Sequence, residues 1–271
     1  MRTRSLLAAS LSGVLLLGAS AAVSAQDDPT QVLAQSLTAT STATSFHFLA
    51  TADGTVNLGS SFGGAPLPIT GTKAEGDVSV NPQGVQLTFN VPLGPMSLSG
   101  GLIYPNDGSA YVKLALPGAS SADLWHKIPM DNLPLNIGAS PAPGGSPVDM
   151  ASQIQAAVTQ SGAVLTNDGD VPCTAGTCTK LHLEVPSAAL DSTIGSMLPN
   201  GSPAPSAAAP APIPVDILVD NATHYIDSIS AHVVDGTSGT DLTITITLSA
   251  FNQPVTITAP PADQVTDAPL M

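Results

Sequence analysis

Residues 242–248 read LTITITL, an unbroken alternation with Leu242, Ile244, Ile246 and Leu248 on one side and Thr243, Thr245 and Thr247 on the other. A period of two that separates apolar from polar side chains marks a strand with one face on a core and one toward water. The same period runs through most of the chain. Phe46 and Phe48 alternate with His47 and Leu49, and Val78/Val80, Val85/Leu87/Phe89/Val91, Met96/Leu98 and residues 102–104 and 111–114 continue the pattern. Asn81-Pro82-Gln83-Gly84 and Pro105-Asn106-Asp107-Gly108 have the composition of tight turns between them. Strands so close in sequence pair antiparallel, because a parallel pair needs a long crossover. Downstream, Val215/Ile217/Val219, a turn at residues 220–223, Tyr225/Ile229/Val233 and finally Val255/Ile257 extend the series.

Three segments follow the helical period instead. Asp28 can cap and Pro29 can open a helix with Val32, Leu33 and Leu37 on one face. Ser146-Pro147-Val148-Asp149 combines a capping serine, a first-turn proline and an acid three residues after the cap; Ala151, Ile154, Ala157 and Val158 follow before Gly162. Pro186-Ser187 opens a third, with Leu190, Ile194, Met197 and Leu198 on one face. Residues 200–214, NGSPAPSAAAPAPIP, form a Pro/Ala-rich loop that cannot build a core. The order is a helix, many antiparallel strands, two helices and more strands. A sheet this long must twist and curl, and its apolar face needs a cover. The three helices are the available cover, which gives an α+β domain: a single curved antiparallel sheet wrapped around about three helices.

Composition places this domain outside the cytosol. The first 25 residues carry Arg2 and Arg4, an apolar run over residues 6–17 and the small-x-small triplet Val23-Ser24-Ala25, the signature of a cleaved signal peptide. The remaining organisation is a single domain over 26–261 and a disordered tail over 262–271. No cysteine follows the apolar run, so lipid anchoring through a cysteine there is excluded. Only 10% of the 271 residues are charged and 3% aromatic, with 24 Gly and 25 Pro, a turn-rich β composition. Removing Arg2 and Arg4 takes the formal charge from −14 to −16. A surface of that sign disfavours nucleic acid and electrostatic docking on anionic membranes, so any lipid contact must be apolar.

The two cysteines stand in VPCTAGTCTKLHLEV, residues 171–185. Cysteine-only metal sites use two close pairs and redox pairs use C-x-x-C at a helix start, and neither pattern is present. Cys173 and Cys178 instead flank a tight turn between two alternating segments, so an exported chain is expected to join them as a disulfide across a hairpin.

The N-terminal helix before Phe46-His47-Phe48, the Tyr111-Val112-Lys113 strand, residues 123–128 (DLWHKI), residues 214–220 (PVDILVD) and the closing residues 248–260 (LSAFNQPVTITAP) together resemble the actinobacterial LppX/LprG-type lipoproteins. The resemblance spans about residues 28–261. It implies a LolA/LppX-like half-open β-barrel with helices in its mouth, enclosing an apolar cavity that carries lipids or glycolipids across the cell envelope. The chain departs from the family in lacking its lipid-modified cysteine and in having Leu218 where a strand tryptophan is expected.

Catalytic motifs are weak by comparison. Gly59-Ser60-Ser61-Phe62-Gly63 fits G-x-S-x-G, but it lies among Gly and Pro that cannot open the helix a nucleophile elbow needs. His47, His126, His182, His224 and His232 show no metal-ligand spacing, although His224, Asp227 and His232 could meet across a hairpin. The chain is therefore read as a non-enzyme without cofactor or metal. It is expected to be a monomeric exported carrier whose partner is a lipid or other hydrophobic small molecule. Phe46, Phe48, Leu87, Phe89, Ile154, Val158, Ile194, Ile244 and Ile246 are the candidates for lining the cavity, since apolar space inside a protein stays dry and accepts apolar guests. The alternatives are a secreted structural or adhesive module with a filled core and, behind it, a hydrolase.

Overall fold

The computed structural model describes residues 27–57, 66–93, 96–115, 124–129, 163–186, 211–236 and 239–267. A helix opens the described residues. In α1, Pro29–Ser41, Pro29 holds the first helical position and Asp28 accepts a hydrogen bond from the Thr30 amide at 2.9 Å, which satisfies one of the helix's orphan donors. The two further helices expected at 146–162 and 186–198 lie, apart from Pro186, outside the described residues.

Among the described residues, thirteen strands form one sheet: β1 Ser45–Val56, β2 Leu67–Pro68, β3 Thr72–Val80, β4 Gln83–Leu93, β5 Met96–Tyr104, β6 Ser109–Ala115, β7 Trp125–Pro129, β8 Val164–Cys173, β9 Gly176–Val185, β10 Ile213–Asp220, β11 Ile226–Asp235, β12 Thr240–Ser249 and β13 Val265–Thr266. Their order is β13-β7-β6-β5-β4-β3-β1-β12-β11-β10-β9-β8, with β2 pairing β1. Two meanders, β3 to β7 and β8 to β12, are thus joined through β1. Its antiparallel pairing with β12, from His47 opposite Ser249 to Thr55 opposite Asp241, is the seam of the sheet.

Two endings differ from expectation. Val255 and Ile257 alternate like a strand, yet residues 253–260 are not in one. Both sides of β12 are already occupied, by β1 and β11, so the chain leaving Ser249 has no neighbour there to pair with. It turns at Ala250 and Asn252, whose φ angles are 51° and 59°, and crosses to Gly84, where Ile257 packs so closely that a methyl on the glycine would stand 3.2 Å from its Cδ1. The disordered tail expected from residue 262 is also corrected: residues 262–264 make a 3₁₀ turn, and β13 pairs in parallel with Trp125 and His126 of β7. That pairing gives the edge strand a partner for its backbone groups.

Directly paired residues of an antiparallel sheet share a face, so the register sorts every side chain. The face bearing α1, here the inner face, is apolar from strand to strand: Leu181 pairs with Ile217, Ile217 with Ile229, Ile229 with Ile246, and Ile246 with Ala50. The outer face carries the threonines and charged groups. α1 lies on one end of the inner face. Val32, Leu33 and Leu37 form a buried cluster with Leu181, Ile217, Val219 and Ile226, against which Leu165, Val215, Ile229 and Leu248 pack.

Candidate functional site

The inner face changes character along the sheet. Beneath α1 it is closed, with Leu181 and Ile217 exposing 0% and 2% of their surface. Across β1, β4 and β12 it is not: Phe46, Phe48, Leu87, Phe89 and Ile244 are half-buried, and Ile246 exposes 36%.

These six residues are the cavity candidates that fall among the described residues, and the register brings them together in adjoining rows. One row runs Leu248, Phe48, Gly76, Leu87, Leu102, Val112 across β12, β1, β3, β4, β5 and β6. The next runs Ile246, Ala50, Ala74, Phe89, Gly100, Leu114. Phe46 lies in the row of Val78 and Val85, and Ile244 pairs with Ala52. Ile154, Val158 and Ile194 lie outside the described residues, as does Gly59-Ser60-Ser61-Phe62-Gly63.

What sequence reasoning missed is the small side chains between the large ones. Ala50, Ala74, Gly76 and Gly100 occupy inward positions, and the alternation itself would have found them. Their effect is to lower the floor of the face. At Gly100 an added methyl would stand 2.6 Å from Cζ of Phe89, so the ring occupies the space a larger residue would claim. The surface so made is apolar, shallow at its middle and walled by Phe, Leu and Ile. Such a surface can hold alkyl groups by burial and offers them no polar competition.

One end of the sheet is polar. Phe251 stacks on Tyr225 at 4.2 Å and leans on Phe46 at 6.2 Å, and beside them a pocket of about 340 Å³ holds Leu248, Asp220 and Asp227. Asp227 is 6% exposed. Burial raises its pKa, hydrogen bonds from the Ala175 and Thr174 amides oppose the rise, the neighbouring Asp220 adds to it, and the net displacement is upward. Those two amides belong to the turn closed by the Cys173–Cys178 disulfide. An Asp227 oxygen and the two sulfurs lie within 4.8 Å of one another, but the sulfurs are bonded to each other, so the cluster is a docked staple.

Three of the five histidines are engaged on the outer face. His47 pairs with Asp77 at 3.0 Å, His182 with Asp216 at 2.7 Å and His232 with Asp241 at 2.8 Å, each across neighbouring strands. His232 therefore does not meet His224 and Asp227, the grouping the sequence left open; His224 sits in the turn with its amide donating to the Asp220 carbonyl. Burial would raise the pKa of Asp77 and Asp216. The hydrogen bonds from Gln86 and His47 to Asp77, and from His182 and Lys180 to Asp216, outweigh it and hold both carboxyls below their ordinary value.

No protein-family model and no curated protein matches this sequence. Among solved structures the chain is similar to the lipoprotein LppX of Mycobacterium tuberculosis, at 20% identity over 85% of this chain and 98% of that one, with a TM-score of 0.46. It is similar also to LprF of Mycobacterium bovis, at 17% identity over 86% of this chain and 96% of that one, with a TM-score of 0.50. The likeness to LprF shows the fold: this chain has an open, curved antiparallel sheet like that of LprF.

Proposed function

We propose that this protein is a non-catalytic carrier that binds an acyl chain of a lipid or glycolipid against the open half of its inner face. The observation that carries the proposal is the contrast along one continuous apolar surface. Under α1 the side chains are sealed, whereas Ile246 and Leu114 still expose 36% and 37%, and Phe48, Leu87 and Phe89 are only half-buried. Leaving such a surface open in water forgoes about 25 cal/mol for each Å² that could be buried, and an alkyl chain recovers it.

The helices expected at 146–162 and 186–198 would complete the cavity, with Ile154, Val158 and Ile194 turned toward the guest. Burial of a methylene contributes about 0.8 kcal/mol, so one long chain is enough to exceed the ordering cost of binding. Export follows from the signal sequence, with cleavage after Ala25. The mature 26–261 domain would act as a monomer in the cell envelope or outside it, without an anchor at a lipid-bearing cysteine.

The test is to purify the protein under native conditions, extract it with organic solvent and identify the extract by mass spectrometry, alongside titration with a fluorescent long-chain fatty acid. Co-purifying lipid and a probe Kd of about 1 μM or tighter are expected. An empty extract together with no probe binding would leave a filled structural module as the better reading.

A further inference from the structure

A second recess lies on the opposite, outer face and is separated from the acyl site by the sheet itself. It has a volume of about 340 Å³; His47, Asp77, Gln86, Thr88 and Trp125 line it together with Glu75 and Ile103, and its floor is the sheet at Gly76 and Leu87, whose register positions belong to the inner rows. That volume is at the small end of ligand pockets, about 300–1,000 Å³, and suits one compact ligand.

The recess has two unlike sides. On one, the indole of Trp125 reaches from β7 across β6 to β5, where Gly101 makes room for it: a methyl at Gly101 would stand 2.8 Å from Cη2 of the ring. On the other is a row of hydrogen-bonding groups whose positions are fixed by cross-strand bonds. Asp77 receives Gln86 Nε2 at 2.9 Å on one carboxylate oxygen and pairs with His47 Nδ1 at 3.0 Å through the other. With Nδ1 engaged, Nε2 is the remaining polar atom of the His47 ring, and the Gln86 carbonyl and Thr88 hydroxyl add an acceptor and a group able to donate or accept. Glu75 is held by Lys73 at 2.6 Å.

We propose that this outer recess is a binding site for a neutral pyranose, whose C–H face packs on Trp125 while its hydroxyls bond to Gln86, Thr88 and His47. An indole wall supplies a large apolar surface, and a ring that alternates C–H faces with equatorial hydroxyls is the ligand that uses both sides of the recess at once. The two carboxylates in the lining disfavour phosphates and acidic sugars. The sugar bound here is one presented from outside, as a free saccharide or a surface glycan. The headgroup of a lipid held on the inner face is on the wrong side of the sheet.

Trp125 is the only tryptophan in the chain, so its fluorescence reports this recess alone. The full mature protein is titrated with the methyl glycosides of glucose, mannose and galactose, with methyl glucuronide as the charged control, and the best neutral ligand is repeated in the presence of a saturating fatty-acid probe. The expected result is a saturable emission change with a Kd of about 1 mM for at least one neutral glycoside, not displaced by the alkyl probe. Thr88→Val and Gln86→Leu should each weaken it at least about tenfold with unchanged circular dichroism; should Gln86→Leu fail to fold, Thr88→Val decides. Absence of a saturable response to all three neutral glycosides, an equal response to the glucuronide, or competition with the alkyl probe would each overturn the proposal. A soluble neutral polysaccharide that shifts Trp125 more strongly than its monomer identifies a surface glycan as the source, and an equal shift identifies the free sugar.

Discussion

Ile217 and Ile246 are the same side chain on the same face of the same sheet, two strands apart, and they do different things. Ile217 exposes 2% and touches the α1 cluster, while Ile246 exposes 36%. Truncation should separate the two roles. Ile217→Ala leaves a cavity in a sealed core and is expected to cost about 3 kcal/mol in urea unfolding, with little change in affinity for a fatty-acid probe. Ile246→Ala should cost about 1 kcal/mol or less and weaken the probe several-fold. Equal stability losses at both sites would mean that the inner face is packed throughout. The alternation around both residues was legible in the sequence, and so was their shared orientation. Which of them is sealed was not, because sealing depends on where α1 comes to rest, and Val32, Leu33 and Leu37 carry no mark that pairs them with β9 and β10.

The β8–β9 hairpin shows how far local pattern reaches. Two cysteines around Thr-Ala-Gly-Thr, with alternation on both flanks, were sufficient to read a stapled turn, and the bond joins Cys173 to Cys178 with Cα atoms 5.8 Å apart. The docking of that turn on Asp227 was illegible. Asp227 lies on β11, two strands away, where the register with β10 slips between Leu218 and Val219 and leaves it as the extra residue of a bulge. A bulge re-aims a side chain in a way that no period of two predicts. Because Thr174 and Ala175 still donate to Asp227, the turn has a second hold besides the disulfide. Replacing both cysteines by serine should therefore preserve the fold and the acyl site, with a loss of about 2 kcal/mol, the chain-entropy value for so short a loop. Thermal unfolding with and without reductant measures the loss. A folded double variant that no longer binds the fatty-acid probe would show that the hairpin shapes the binding surface. Val255 and Ile257 mark the opposite limit: their alternation was plain, and they are still not a strand, since no unpaired edge was left for them beside β12.

At the scale of the whole molecule, the first strand sits between β3 and β12, so its partner on one side is separated from it by nearly the whole domain. That pairing could not come from neighbour-to-neighbour reasoning, which gives meanders; it arises because β1 is the one strand able to join two meanders into one sheet and leave no open edge between them. The result is a sheet closed over α1 at β9 to β11 and open over β1, β3, β4 and β12. Hydrogen exchange follows closure, so amides of β9 and β10 should exchange most slowly in the ligand-free protein and those of β5 to β7 sooner. Adding a long-chain fatty acid at about 100 times its Kd should stabilise the folded state by about 2.7 kcal/mol. The added protection should fall on β1, β3, β4 and β12, where side chains are half-buried, and leave β9 and β10 as they were. Protection confined to the strands beneath α1 would place the guest inside the closed core and contradict the proposal that an acyl chain binds on the open half of the inner face.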